Sequence, residues 1–339
     1  MKRLLIIHTA FIGDIVLSTP LLKKIKDLYG DVEITYLTTP IGAEVLKNNP
    51  NISEIIVYDK KALHSGIKGV IQLGKRLRYK NFNLVINLHR YLRSGILTFL
   101  TRAPLSIGYD IGLAKFIYTK KIKYDKQLHE VERILSFLPE NPEKRDVEYN
   151  IELFPSKQDE NRVKELLTTE DLQETREKKI VVLAPGSKWF TKKWPVEYWN
   201  ELSKKLSYNK NIQQIIVGGE EEKNIAMEIS ENCLDLRGKT TLLELAVVIK
   251  KAKIIVSNDS SPIHIASAFK DTFIIAIFGP TVKKIGFFPW SKNSIVLEQI
   301  NLKCRPCEIH GGNKCPKKHF KCMLETKPEK VFEMISTKL

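Results

Sequence analysis

Three short segments carry the side-chain types that move protons or hold phosphate. The first is His8-Thr9-Ala10-Phe11-Ile12-Gly13-Asp14. Gly13 lets the backbone come close to a ligand. Asp14 falls at the start of a helical pattern, where a carboxylate is favoured by the helix dipole. Two uses fit it: capping that helix, or accepting a proton from an attacking hydroxyl. The second segment, PGSKWFTKKWP, holds Gly186, Ser187, Lys192 and Trp194. Gly and Ser in a strand-to-helix loop expose N–H groups to phosphate, and a lysine adds a point charge. That chemistry would neutralise a departing diphosphate; a basic surface loop anchored by Trp194 is the other reading. The third is Asn258-Asp259-Ser260-Ser261-Pro262 with His264, followed by Phe278-Gly279-Pro280-Thr281. Pro262 suits an early helix position, and the small residues before it leave N–H groups aimed at an anion. His264 fits either a packed structural histidine or a donor-site residue.

Two further groups stand out. Arg90 and Arg93 in NLHRYLRS either begin a solvated helix or hold oxyanions of a substrate, which guanidinium suits. Cys304, Cys307, Cys315 and Cys322 crowd into CRPCEIHGGNKCPKKHFKCM. Four thiols at this density can hold a structural zinc, or can be ordinary reduced thiols packed in a knuckle. Neither a Walker A ending nor a G-x-G-x-x-G fingerprint is present, which argues against a P-loop and against dinucleotide binding.

These residues need elements to position them. Short apolar runs at residues 4–7, 33–37, 54–58 and 83–87 read as strands. Helical spacing covers 15–28, 41–48, 67–78 and 93–101. Pro139 and Pro142 break the pattern in 136–150, as a connection would. After a charged helix at 158–176 the alternation restarts. Strands are expected at 180–183, 214–217, 254–257 and 273–278, and helices at 196–206, 221–232, 242–250 and 261–268. A last helix is expected at 328–338. Strands alternating with helices imply parallel sheets covered on both faces. Two such domains are expected, 1–155 and 156–325, facing across a cleft, with 326–339 packing back on the first. Ligands of these sheets bind beyond the carboxyl ends of the strands, and each of the three segments comes just after a strand.

Composition sets the outer limits. The chain has 339 residues, 43% hydrophobic and 28% charged, which describes a globular protein of about two domains. Lys2 and Arg3 before a short apolar run imitate a secretory signal, but His8, Gly13 and Asp14 interrupt it. No run approaches the length needed to span a bilayer. A cytoplasmic protein, peripheral to a membrane, is the expectation. The formal charge of +16 attracts polyanions. No zinc-finger, RNP-type or basic-zipper pattern selects nucleic acid among them.

Taken in order, Gly13-Asp14, the Lys192-x-Trp194-Pro195 loop, Asp259-Ser260-Ser261 with His264, and Phe278-Gly279-Pro280-Thr281 resemble glycosyltransferase family 9, the bacterial lipopolysaccharide heptosyltransferases. Asn87-Leu88-His89-Arg90, Arg93-Ser94 and Ile107-Gly108-Tyr109 match the same family. The resemblance covers essentially the whole chain. It implies a GT-B fold of two Rossmann-like domains, an ADP-heptose donor, and inverting transfer without a required cofactor. The acceptor it implies is the lipid A–Kdo–heptose core at the inner face of the membrane, since the likeness leans to enzymes that add the second heptose. Asp14 matches the catalytic base. Ser187 and Lys192 match diphosphate contacts, and Gly13, Asp259, Ser260, Ser261, His264, Gly279 and Thr281 fall at donor-binding turns. Glu220 or Glu222 matches an acidic residue near the nucleotide ribose; for such an acceptor, Arg90 and Arg93 would hold its acidic sugar or phosphate groups. Where the family often has Thr-Gly or Ser-Gly, this chain has Ser260-Ser261. A monomer is expected. The alternatives are a transferase of another nucleotide sugar, a nucleotide-sugar epimerase, and a basic membrane- or nucleic-acid-binding module without catalysis.

Overall fold

The structure is a computed structural model that describes residues 2–62, 64–139, 148–168, 178–227 and 233–339. The chain divides into two compact units, Met1–Phe154 and Pro155–Leu339.

The first unit runs β1 (Lys2–Ile7), α1 (Ile12–Leu17), α2 (Thr19–Tyr29), β2 (Val32–Thr38), α3 (Pro40–Leu46), β3 (Glu54–Val57), α4 (Gly66–Arg78), β4 (Leu84–Asn87), α5 (Leu92–Thr101), β5 (Leu105–Tyr109), β6 (Lys120–Ile122) and α6 (Glu130–Leu135). Its six strands are parallel, in the order β3-β2-β1-β4-β5-β6. The second unit runs α7 (Lys157–Thr168), β7 (Lys179–Ala184), α8 (Val196–Ser207), β8 (Ile212–Ile216), β9 (Cys233–Asp235), α9 (Leu242–Lys251), β10 (Ile254–Asn258), α10 (Ser261–Ala266), β11 (Phe273–Phe278), β12 (Ser294–Glu298), α11 (Lys321–Leu324) and α12 (Pro328–Ser336). Its order is β12-β11-β10-β7-β8-β9. Numbered from their own first strands, both sheets run 3-2-1-4-5-6, the doubly wound order of dinucleotide-type folds. The winding reverses between β1 and β4 in one sheet and between β7 and β10 in the other. The central strands are apolar and buried almost end to end, as strands covered on both faces must be.

The helix expected at 15–28 is two helices that meet at Ser18. Pro20 has no N–H to donate to Val16. The Thr19 hydroxyl donates to that carbonyl instead, at 2.9 Å, and Ser18 Oγ donates to Ile15 O at 2.7 Å. The helix expected at 221–232 is a 3₁₀ turn, Glu220–Asn224, in its described part; residues 228–232 lie outside the described residues. The Arg237 guanidinium takes the carbonyls of Glu222 and Ile225, at 3.2 and 2.6 Å, which a continuing helix would need. The C-terminal helix was expected to return to the first domain. Instead α12 packs on α8, with Val331 and Ile335 fully buried in the core of the second unit beside Trp199 and Leu202. Pro142 and the end of the helix expected at 158–176 lie outside the described residues.

Ile335→Ala should therefore destabilise the second unit by about 2–5 kcal/mol, the usual cost of truncating a fully buried aliphatic side chain. Denaturant unfolding of the full chain measures it; an unchanged midpoint would mean that α12 does not belong to this core.

Candidate active site

In the first unit the loops after β1 and β4 lie side by side at the reversal point. Thr9 Oγ1 is 3.3 Å from His89 Nδ1, and Lys60, just past β3, donates from Nζ to Thr9 O at 2.8 Å. Asp14 is the third residue of α1. Its Oδ2 accepts from the N–H of Phe11, the N-cap residue, at 3.2 Å, so it does cap its helix. Asp14 is partly exposed, and the protein packed around its carboxyl desolvates it. That desolvation, helped by the negative charge of Glu130, pushes the carboxyl up to about 7 against the pull of nearby Arg90. Gly13 is an ordinary helical position with no left-handed turn.

Arg90 leans over the Tyr124 ring, 4.5 Å from its centroid, and Arg133 covers the same ring at 5.2 Å. Arg133 is held by Glu130 at 2.7 Å, both side chains being buried. Arg93 is exposed on α5, near enough to Tyr58 for its charge to act on that hydroxyl. Two histidines lie in the same loops. Burial, with His89 and Lys60 nearby, holds His8 down at about 3; burial, with Lys60 and Arg90, holds His89 at about 4. Both are neutral at pH 7. His8 Nδ1 meets Tyr36 Oη at 3.2 Å, which meets Ser18 Oγ at 2.6 Å.

In the second unit the loops after β7 and β10 are joined by polar contacts. Asn258 Nδ2 donates to Pro185 O at 2.7 Å, and its Oδ1 accepts from Trp194 N at 3.1 Å. Lys192 Nζ lies 2.7 Å from Asp259 Oδ2, both side chains nearly buried. Thr281 Oγ1 donates to the same oxygen at 2.6 Å. Removing one member of such a pair typically costs about 3–5 kcal/mol, so the carboxylate of Asp259 fixes where the Lys192 charge sits. No other hydrogen-bond partner holds that ammonium among the described residues, and the Ser187 hydroxyl likewise takes part in none. Trp194 anchors the loop from below, with Nε1 on Thr326 O at 2.8 Å and its ring edge-on to Trp199.

The remaining expected residues fall around these loops. Ser260 is the N-cap of α10, with Ser261 and Pro262 in its first turn, and both serines are half-buried. His264 is buried on the inner side of that helix. Gly279 must lack a side chain: a Cβ there would stand 2.4 Å from Met323 Sδ and 3.0 Å from Thr191 O. Glu222 and Glu220 behave differently. Glu222 accepts from Gly219 N at 2.7 Å and lies against Gly186, whose Cβ would meet Glu222 Oε1 at 2.7 Å. Glu220 is exposed and pairs with Lys223.

The cysteine segment is a clasp on the β7 loop. Thr191 Oγ1 accepts from Gly312 N at 2.8 Å, and Thr191 N donates to Gly312 O at 3.0 Å. Arg305 donates to the carbonyls of Gly279 and Thr281 and to Glu298 at 2.9 Å. A structural zinc was one of two readings of Cys304, Cys307, Cys315 and Cys322, packed reduced thiols the other. Cys307 Sγ donates to Cys304 O at 3.1 Å, and Cys304 Sγ sits 3.8 Å from His319 Nε2. Among the described residues no group of three or more His, Cys, Asp or Glu is placed to hold a metal. Burial pushes the Cys322 thiol up to about 11 and raises Cys307, with the neighbouring cysteines adding to both.

Sequence reasoning missed Lys60, Tyr124, Glu130 and Arg133, and met His89 only within the family match. Lys60 and His89 come after strands and were open to the same rule that found Asp14. Glu130 and Arg133 lie on α6, in a stretch where no element was expected.

Comparison with known proteins agrees with this geometry. The sequence profile of glycosyltransferase family 9 (heptosyltransferase) matches residues 70–318. A lipooligosaccharide heptosyltransferase 2 from Campylobacter jejuni is 28% identical over 335 residues, covering 95% of this chain and 94% of that one. A family 9 glycosyltransferase structure from Veillonella parvula superposes with a TM-score of 0.86 at 22% identity, covering 99% of this chain and 96% of that chain. The structure of E. coli ADP-heptose lipopolysaccharide heptosyltransferase II gives 0.78 at 21% identity, covering 99% and 98%. The fold is the GT-B type of α/β protein expected from the sequence, and the chain belongs to glycosyltransferase family 9, the heptosyltransferases.

Proposed function

We propose that the chain moves heptose from ADP-heptose to the inner core of lipopolysaccharide, with inversion at the anomeric carbon. The acceptor already carries one heptose, in keeping with the relatives of the second-heptose type. Asp14 is the general base. The observation that carries this reading is the place of its carboxyl, on the first turn of α1 at the β1–β4 reversal point with Arg90 nearby, where desolvation pushes it up to about 7. A base of that strength accepts a hydroxyl proton in the transition state yet is largely ionised just above neutrality.

The acceptor oxygen attacks the anomeric carbon from the face opposite ADP, its proton passes to Asp14, and the bond to the diphosphate oxygen breaks. The second unit takes up the charge that leaves. Lys192, aimed by Asp259 and Thr281, supplies a fixed cation, and the Ser187 hydroxyl and the N–H groups at Ser260 and Ser261 supply donors. Fixed protein charge fills the place a divalent cation has in other nucleotide-sugar chemistry, so the reaction requires no metal. Glu222 stands beside the Gly186 loop, where a ribose hydroxyl would meet it, whereas Glu220 turns away to Lys223. Arg90 and Arg93 hold acidic groups of the acceptor core, and the chain works as a monomer on the cytoplasmic side of the membrane.

A donor screen tests the substrate. ADP-heptose should support transfer to a Kdo–heptose acceptor where UDP- and GDP-sugars do not; nucleotide binding without transfer would defeat the proposal. Asp14→Asn should lower kcat by about 10²–10⁴-fold with ADP affinity unchanged. Lys192→Ala should lower it about 10²–10³-fold and weaken ADP as well, read by calorimetry.

The pH profile should report Asp14 directly. Below about 7 the carboxyl is protonated and cannot accept, so kcat/KM should rise with pH through that value and level above it. Glu130→Gln removes the neighbouring negative charge that raises Asp14. The limb should then move to lower pH. A limb unmoved by Glu130→Gln, and still present in Asp14→Asn, would assign it to another group.

A further inference from the structure

Most large apolar side chains of the first unit are inside it; a cluster beside the arginine loop is not. In α5, residues 92, 95 and 99 share one face, since they are spaced three and four apart. Leu92 and Phe99 are exposed there, Phe99 to 68%. Gly95 between them is covered by a 3₁₀ turn, Leu113–Phe116: a Cβ on Gly95 would stand 2.7 Å from Ala114 Cβ and 3.1 Å from Ile117 Cδ1. In a 3₁₀ helix residues i and i+3 eclipse. With Ala114 and Ile117 turned to α5, Leu113 and Phe116 are left together on the outer side, 69% and 75% exposed. The turn starts at Gly112, where a Cβ would meet Arg90 O at 2.8 Å, so the cluster is tied to the loop that carries Arg90.

The charges around it have one sign. From Arg90 to Tyr124 seven side chains are basic and one, Asp110, is acidic. Lys115 lies 5.0 Å over the Phe116 ring, and Lys120 and Lys121 are exposed on β6, the edge strand. Apolar side chains projecting from a basic rim suit the interface of an anionic bilayer. The apolar groups enter the headgroup boundary, and each lysine gains from the surface potential. Among the described residues no helix is long and apolar enough to cross a membrane.

We propose that the face formed by Leu92, Phe99, Leu113 and Phe116, with Lys115, Lys120 and Lys121 at its edge, docks the first unit on an anionic lipid surface. The proposal deepens the functional reading of the site, and rests on it only in taking the acceptor to be anchored in that surface.

The test is co-sedimentation of the full chain with vesicles of phosphatidylethanolamine and phosphatidylglycerol, and with phosphatidylcholine alone. The chain should bind the anionic vesicles, less so in high salt, and bind phosphatidylcholine poorly. The double variant Leu113→Asp/Phe116→Asp should bind the anionic vesicles about tenfold or more weakly, from lost apolar burial. Tyr208→Asp, an exposed aromatic of the second unit, should bind as before. Transfer to a detergent-dispersed acceptor should persist in the double variant and fall on vesicle-embedded acceptor. Equal vesicle binding by the double variant and the unaltered chain would overturn the docking face. So would self-association of the unaltered chain that the double variant abolishes, since a second copy would then be the occupant. Failure of transfer on every acceptor, with the vesicle pattern intact, would remove the sugar-transfer reading and leave the docking face standing.

Discussion

Parallel strands cannot be joined by a hairpin; each needs a crossover, and the crossover has one hand. A sheet wound outward from its middle strand, then resumed on that strand's other side, leaves two neighbouring strand ends whose chains depart to opposite faces. Both units meet this constraint in the same way, at β1 and β4 and at β7 and β10. The chemistry depends on it. Asp14 and Arg90 lie just beyond the first pair of strand ends, and Lys192 and Asp259 just beyond the second. Each pair of loops is then stitched by a polar contact, Thr9 with His89 and Asn258 with Pro185.

The two reversal points solve opposite electrostatic problems. In the first, burial strips charge away: two histidines are neutral, and a carboxyl is shifted toward its neutral form. In the second, charge is kept by pairing, with one carboxylate oxygen taking both an ammonium and a hydroxyl. A low-dielectric pocket tunes proton affinity, whereas a paired cation provides a fixed field. A transfer reaction needs one of each.

Much of this was legible in the residues. The apolar runs at 4–7, 180–183 and 273–278 read as strands, and the β11 boundaries agree with the structure to the residue. Placing Asp14, Lys192 and Asp259 just after strands was enough to bring them to strand ends. What escaped was set by tertiary contacts. β5 carries Ser106 and Gly108, a weak strand signal, because the Tyr118 ring needs the space at Gly108. β6 and β9 are three-residue edge strands, too short for periodicity. The break at Ser18 was visible in Pro20 and was overridden by the apolar spacing around it. The partnership of Lys192 with Asp259, 67 positions apart, had no local sign, and the influence of Glu130 on Asp14 had none either.

In the proposed role, the position of Asp14 on the pH scale would also govern how the site recovers between turnovers. A group that captures a proton must shed it before the next acceptor arrives. A strongly basic residue would hold on to it and need a relay to water. A carboxyl balanced near neutrality, with part of its residue at the surface, gives the proton back about as readily as it takes it. In the proposed role the same desolvation that raises Asp14 sets both halves of that exchange, capture and release.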